Sequence, residues 1–517
     1  MGNRSRTPSI HILDDDSLLH IFYLYRPFIL GEDEDHLNNG DSRLWGGNEG
    51  WVRGRWWYRL AHVCRRWRNI IFGSASYLDL SLVCTYGTPV ADMLTHSPHL
   101  PLVVDYFEEG REITSDEEEG IISVFKQRER VLRVRLYGPV SSLQKIIAAM
   151  DDEYPILEFL VIQRPIEDKS TISIFPETLQ APHLRSLNLR GFALPIGSRL
   201  LTTAVGLVTL SLCVVHPSTY FQPNTLLQWI SHMPQLEMLL IYFDFSIPSR
   251  DTERQLTHMP IIAQVTLPNL HHLEFRGVPT YLEALVHRIT TPRLERLVID
   301  FYNQLTFSVP HLLQFVNAAE NLRFGSAKFS FFSSGVVVRV YPREEAEMHG
   351  FGTAVLCWHL DWQVSSQAQI INSLSQVFSA VEHLTLEHRE HSQSSEEHNE
   401  VDRTEWRRLL RPFSNVKTLR IENGLVDDLS RCLRLEDGDL PLEVLPGLQE
   451  LTYIGDDNIG DTFAPFVDAR RNAGRLITLI HGGPSQRASE PFIDASTITS
   501  ANGEDGNTQS QLLHAND

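Results

Sequence analysis

The sequence predicts an α/β protein: a small all-helical region followed by an irregular solenoid, with parallel strands on its concave face and helices outside. Three observations predict it. A six-residue pattern, apolar-x-x-apolar-x-apolar, recurs down the chain; amphipathic segments of helical period fall between its copies; and the first 82 residues lack the pattern but carry two helical stretches. At 517 residues and 42% apolar content, the chain is long enough to bury a large core.

Residues 1–9 are polar and predict a disordered start. Asp14, Asp15 and Asp16 then precede Ser17-Leu18-Leu19, where carboxylates cap free amides and complement the helix dipole, so a helix begins there. Leu18, Ile21, Phe22 and Tyr25 recur at i, i+3, i+4 and i+7 and give it one apolar face before Pro27. Residues 31–50 are rich in glycine, asparagine and acid and have no period, which predicts an inserted loop over 31–55. From Trp56 the helical period resumes. Leu60, Val63, Cys64, Trp67, Ile70 and Ile71 fall within one arc, with Arg59, Arg65, Arg66 and Arg68 on its flanks and back. Ser76–Leu82 alternates apolar and polar residues like a first strand, and closes a helical domain spanning 10–82.

Clear copies of the six-residue pattern start at Val131, Leu157, Leu184, Leu207, Leu236, Leu270 and Leu294, and further copies at Val381, Val416 and Leu448. Between Leu294 and Val381 the trace weakens; LRFGSA from Leu322 and VLCWHL from Val355 are the degraded copies expected there. Segments such as SSLQKIIAAM, NTLLQWISHM and TYLEALVHRI fill the gaps with helical period. An LxxLxL core at steps of about 20–30 residues is the leucine-rich-repeat signature, so residues 83–480 predict a stacked solenoid of that kind. Ten or more units exceed the usual strand count of a doubly wound sheet. Residues 481–517 are polar without period and predict a disordered tail. Residues between the apolar positions, such as Arg185, Ser186 and Asn188, or His271, His272 and Glu274, are mixed in charge and leave the substrate-binding residues unassigned.

Composition excludes several function classes. With 45 basic and 65 acidic residues the net charge is −20, a field that repels phosphate backbones and anionic membranes and favours a basic partner. Cys64, Cys84, Cys213, Cys357 and Cys432 form no CxxC or close pair, which points to a reducing, intracellular compartment, cytoplasmic or nuclear. The amino terminus has no apolar signal region, no run approaches the ~20 residues that span a bilayer, and Arg6 stands where myristoylation wants Ser or Thr. No phosphate-binding, nucleophile-elbow, zincin or dinucleotide motif occurs.

Candidate chemistry is weak throughout. A calcium loop at Asp33 and Asp35 would place its third ligand on Leu37 and its turn glycine on Asn38. His383, His388, His391 and His398 have no compact metal spacing and run into a polar loop. Asp116–Glu119 reads as a capped helix start, and Cys64 as a small buried hydrophobe. The expectation is a non-enzyme with no cofactor and no metal.

The segments ILDDDSLLHIF and LAHVCRRWRNIIF, followed by leucine-rich repeats, resemble the F-box family, in particular the large F-box group of basidiomycete fungi. Leu13 stands at the family's leucine, Ile21-Phe22 at its Ile-Phe pair, and Val63-Cys64-Arg65-Arg66-Trp67 at its second signature; Asp14 replaces the usual proline. The resemblance implies that the helical module docks a Skp-type adaptor, and through it a cullin–RING ubiquitin ligase, while the repeats recruit a protein substrate. The adaptor-binding set it implies is Leu13, Leu18, Ile21, Phe22, Leu60, Val63, Cys64 and Trp67. Within it, Phe22 and Trp67 are expected to hold the helices together while Leu13, Leu18 and Leu60 reach the partner. The alternative is a repeat-based interaction scaffold outside any ubiquitin ligase.

Overall fold

The structure, a computed structural model, describes residues 13–26, 56–165, 173–195, 197–215, 221–243, 264–301, 309–322, 324–332, 335–342, 350–356, 360–388, 403–422, 425–434, 443–454 and 463–481. The expected disordered start, the 31–55 loop with its calcium-like acids, His391, His398 and the tail beyond 481 lie outside these residues. The chain divides into two compact units, Met1–Val205 and Gly206–Asp517.

The first unit opens with helix α1, Asp15–Tyr25. Asp14 occupies the N-cap in extended conformation, and its carboxylate accepts from the Ser17 amide at 2.7 Å. That contact satisfies one of the free amides of the first turn and fixes the helix start. Hydrogen bonds from Ser17, outweighing a slight burial effect, hold the Asp14 carboxyl below its usual range.

The single helix expected from Trp56 is instead two, α2 at Trp56–Ala61 and α3 at Arg65–Gly73. Cys64 is the extended N-cap of α3, so Val63 and Cys64 sit in the connecting turn and leave the predicted arc. The break is closed locally: Val63 N donates to Leu60 O at 3.2 Å, and Arg68 Nε donates to Ala61 O at 3.0 Å, satisfying a terminal carbonyl.

The strand expected over 76–82 is also corrected. Residues 74–79 form turns, Asp79 takes a positive φ of 52°, and the first strand β1 is Leu82–Thr85. It is followed by α4 (Val90–His96), β2 (Leu102–Tyr106), α5 (Ser115–Phe125), β3 (Val131–Tyr137), α6 (Val140–Ala148), β4 (Phe159–Gln163), β5 (Ser173–Ile174), β6 (Ser186–Arg190), β7 (Phe192–Ala193) and α7 (Arg199–Thr203). Strands β1, β2, β3, β4 and β6 pair in parallel in that order, and β5 pairs separately with β7.

The second unit continues the alternation with β8 (Thr209–Val215), α8 (Pro223–Ile230), β9 (Met238–Phe243), β10 (Val265–Thr266), β11 (His272–Gly277), α9 (Pro279–Val286), β12 (Ile289–Thr290), β13 (Arg296–Phe301) and α10 (Pro310–Ala318). Three strands follow, with no helix between them among the described residues: β14 (Ser326–Phe332), β15 (Gly335–Tyr341) and β16 (Gly350–Leu356). Then come α11 (Leu360–Ser373), α12 (Ser375–Phe378), β17 (His383–His388), α13 (Arg403–Leu410), β18 (Thr418–Glu422), α14 (Val426–Leu433), β19 (Glu450–Ile454), α15 (Ala464–Asn472) and β20 (Thr478–His481).

The main sheet of this unit runs β8-β9-β11-β13-β16-β15-β14-β17-β18-β19-β20. It is parallel except at β15, which is antiparallel to both β14 and β16. The meander enters in reversed spatial order, so β16 lies beside β13 and β14 beside β17. This explains the weakened repeat. Register aligns Ser326 with His383, which puts Phe324, Ala327 and Phe329 where Val381, Leu384 and Leu386 stand. The working copy is thus FGSAKF, two residues later than LRFGSA, and VLCWHL is likewise out of phase because Phe351 is the partner of Leu297. Gly325 permits the joint: a Cβ there would fall 2.2 Å from Pro342 O.

In the ten sequence copies, each of the three apolar positions is 5% exposed or less. They also align across strands, Leu160 with Leu187 in the first unit, and Leu239 with Leu273 and Leu297 in the second. Within each unit, each repeat therefore adds a rung to an apolar ladder. Fully burying one such side chain is worth about 1.5–3 kcal/mol. Leu273→Ala is expected to cost about 2–5 kcal/mol of unfolding free energy, against under about 0.5 for Leu476→Ala, which changes an exposed side chain; urea denaturation of the full chain checks it.

Candidate functional site

Two surfaces are left after the core is assigned: the amino-terminal helices and the strand faces turned away from the ladder. In the helices, Leu18 and Phe22 point inward and are fully buried. Phe22 meets Trp67 edge-on with ring centroids 4.9 Å apart, so the two stretches carrying the sequence signatures touch each other. Arg66 adds a second link, to the Asp15 carboxylate at 2.7 Å and to Leu13 O at 2.6 Å.

The module is fixed to the first strand as well. Trp57 is buried against Phe72, its Nε1 donates to Ser81 O at 3.3 Å, and Arg26 pairs with Asp79 at 2.9 Å.

Leu18, expected to face a partner, lies inside instead, because α1 turns Leu18 and Phe22 at i and i+4 toward α3. Leu13, Leu60, Cys64 and Trp67 are half-buried. The outward apolar side chains are Ile21 (41% exposed), Val63 (57%), and three that the sequence reading left out of the set, Tyr23 (43%), Leu24 (68%) and Tyr25 (57%). Ile21, Leu24 and Tyr25 stand at i, i+3 and i+4 and share one side of α1. The stretch LLHIFYLY is apolar nearly all round, so periodicity does not say which side is covered.

On the strand face of the first unit, β3 contributes Arg133, Arg135 and Tyr137, β4 contributes Phe159, Val161 and Gln163, and β6 contributes Ser186, Asn188 and Arg190. Arg135 lies over the Phe107 ring at 4.8 Å and reaches Asp105 at 3.5 Å. Burial pushes the Asp105 carboxyl up and the Arg135 guanidinium down, each partly offset by the other's charge.

The second unit holds a tighter cluster on β9, β11 and β13. Arg276 Nε and Nη2 both donate to Asp300 Oδ2, at 2.9 and 2.6 Å, and the guanidinium lies 4.9 Å from the Tyr242 ring centroid. His272 Nε2 stands 3.5 Å from Glu274 Oε2. Burial lowers His272 and raises Asp300 and Tyr242; burial also pushes Glu274 up, but His272, Tyr242 and Arg296 together more than offset it and hold that carboxyl below its usual range. Neighbouring face residues Ser211, Met238 and Leu240 are buried too, so this part of the face is internal, with its charges spent on each other.

Of the histidine group, His383 Nδ1 is 2.7 Å from Thr418 Oγ1, and His388 is buried at the end of β17. Among the described residues no group of histidine, cysteine and acid is arranged to hold a metal, and no helix is long and apolar enough to cross a membrane.

No protein-family model and no curated protein matches the chain. Among solved structures it is similar to the leucine-rich repeat-containing protein LegL7 from Legionella pneumophila, at 13% identity over 77% of this chain and 98% of that one, with a TM-score of 0.24. The assignment of a repeat array rests on strand register and the buried ladder.

Phe22→Ala removes the ring that joins α1 to α3. It is expected to cost about 3–5 kcal/mol of local stability, seen by hydrogen-exchange mass spectrometry as faster exchange over Asp15–Tyr25 with β4 and β6 unchanged.

Proposed function

We propose that this chain is a non-catalytic, intracellular substrate receptor of a Skp–cullin–F-box ubiquitin ligase. The amino-terminal helices dock the Skp-type adaptor, and the repeat array recruits a protein substrate. The observation that carries the reading is the Phe22–Trp67 contact: it unites the two signature stretches while Ile21, Leu24, Tyr25 and Val63 remain exposed. An apolar stripe of that kind on a small helical module gains free energy when a second chain covers it. Ubiquitin transfer belongs to the partners, and the chain itself needs no cofactor or metal. Nucleic acid and membrane are not partners in this reading, in keeping with the net charge of −20.

Burial of Leu18 shifts the docking residues from the resemblance-derived set toward Ile21, Leu24 and Val63. It also favours the second reading, a repeat-based interaction scaffold outside any ligase, because an apolar position expected to meet the adaptor is used internally. Leu24→Asp and Val63→Asp change exposed side chains. Each is expected to weaken capture of a purified Skp-type adaptor by at least about tenfold, since burying an unpaired charge costs well over 1.4 kcal/mol. Wild-type chain that captures no adaptor would favour the scaffold.

A further inference from the structure

We propose that the outer edge of β20 pairs with the same edge of a second copy of this chain, antiparallel, about a twofold axis beside Leu479. The inference concerns the second unit alone and does not rest on the adaptor.

Among the described residues β20 is bonded only to β19. Thr478 N donates to Gln449 O at 2.8 Å. Successive residues of a strand turn their amides and carbonyls to opposite edges, so the backbone groups of Thr478 and Ile480 face β19 and those of Leu479 face away from it. Thr478 and Ile480 have exposed side chains and Leu479 is half-buried, whereas all four residues of β1 are buried. The strand also lacks the features that keep sheet edges apart. Thr478–His481 includes no lysine, proline or acid, and its register with β19 is unbroken.

The backbone geometry fits a second copy. Antiparallel strands bond through residues that both turn outward, and centring two β20 strands on Leu479 meets that condition: each Leu479 amide donates to the other Leu479 carbonyl, with Cα atoms about 5.5 Å apart. An axis normal to the sheet keeps each face on its own side. Leu479 is the rung after Leu419 and Leu451, and it is half-buried because no rung follows it among the described residues. In the pair it meets another Leu479, and the ladder of one copy runs into that of the other. On the opposite face the exposed Ile480 comes opposite Thr478 of the second copy. A foreign strand would have to match this alternation and register; a second β20 matches them by symmetry.

Charge permits the contact. Copies of a chain of net charge −20 repel over acidic surface, but the exposed ionisable groups just before β20 are of both signs: Asp468, paired with Arg471 at 2.9 Å, and Arg475. One strand edge buries less than the roughly 1,200 Å² of stable complexes, so the pair is weak, with a Kd on the order of 10–100 µM.

The test is sedimentation velocity of the full chain from about 1 to about 200 µM, spanning that Kd, with residue-resolved hydrogen exchange at both limits. A shift from monomer to dimer is expected, with slower exchange at Leu479 and no change at Thr478, whose amide is already bonded. Ile480→Lys and Thr478→Lys each set a charge against the paired strand and are expected to weaken association by at least about tenfold. Val205→Lys, which changes an exposed side chain of the first unit, is expected to leave it unchanged. Thermal melts confirm that the variants stay folded, and Thr478→Lys carries the test if Ile480→Lys does not fold. A chain that stays monomeric throughout overturns the proposal. A dimer without slower exchange at Leu479, or one weakened equally by Val205→Lys, overturns it by placing the contact elsewhere. Leu479 already protected in the dilute monomer overturns it by assigning the edge to a segment of the same chain.

Discussion

Each of the two units depends on the in-register burial of its ladder of apolar side chains. A single strand–helix unit has an apolar strand edge and an apolar helix face that it cannot cover alone, and only the next unit, paired in the same register, covers them. Because side chains alternate along a strand, a one-residue slip would turn every leucine of a copy to the other face. The pattern therefore specifies position as well as fold. The same constraint creates ends. In the first unit β1 has a neighbour on one side only, and α2 and α3 adjoin it through Trp57, whose indole nitrogen reaches Ser81 O. The amino-terminal helices are thus part of the support of the array. In the second unit the last strand, β20, has no such finish among the described residues, and Leu476 just before it and Ile480 within it stand exposed.

The ladder was legible because its signal is short-range and redundant: three apolar positions, repeated, all found buried. The section between Leu294 and Val381 was not, because the repeat pattern marks a strand followed by a helix, and among the described residues β14 is followed there by two more strands. GVVVRVY alternates cleanly, with Val336, Val338 and Val340 buried, so the signal of β15 is a period of two and not the six-residue pattern. The break between α2 and α3 was hidden for a different reason. Leu60, Val63, Cys64 and Trp67 keep helical spacing, and only the extended backbone of Cys64 interrupts it, a local event that composition does not mark.

The helix surfaces show the limit of periodicity more sharply. In α1 the residues from Leu18 to Tyr25 include one polar side chain, His20, so any direction around the helix looks apolar. Packing chose Leu18 and Phe22 for the interior, because Trp67 of α3 offered the edge of a ring there, and Leu24 was left outside. The seat of Arg164 over Gly191 in the first unit carries no sequence signal at all, since the two are brought together only by the register of β4 and β6.

Charge placement follows from the ladder by exclusion. Apolar rungs admit no charges, so ionisable groups are driven to the helix exteriors and to the other strand face. On that face the two units differ. In the second, Arg276 meets Asp300 and His272 meets Glu274, and the neighbouring strand positions are buried; charge is neutralised internally and little is left to recognise. In the first, Arg135 has Asp105, while among the described residues Arg133 and Arg190 form no ion pair. A buried guanidinium donor without an acceptor, as at Arg164 and Arg190, lowers stability, and the buried rungs of that unit are the burial that offsets it.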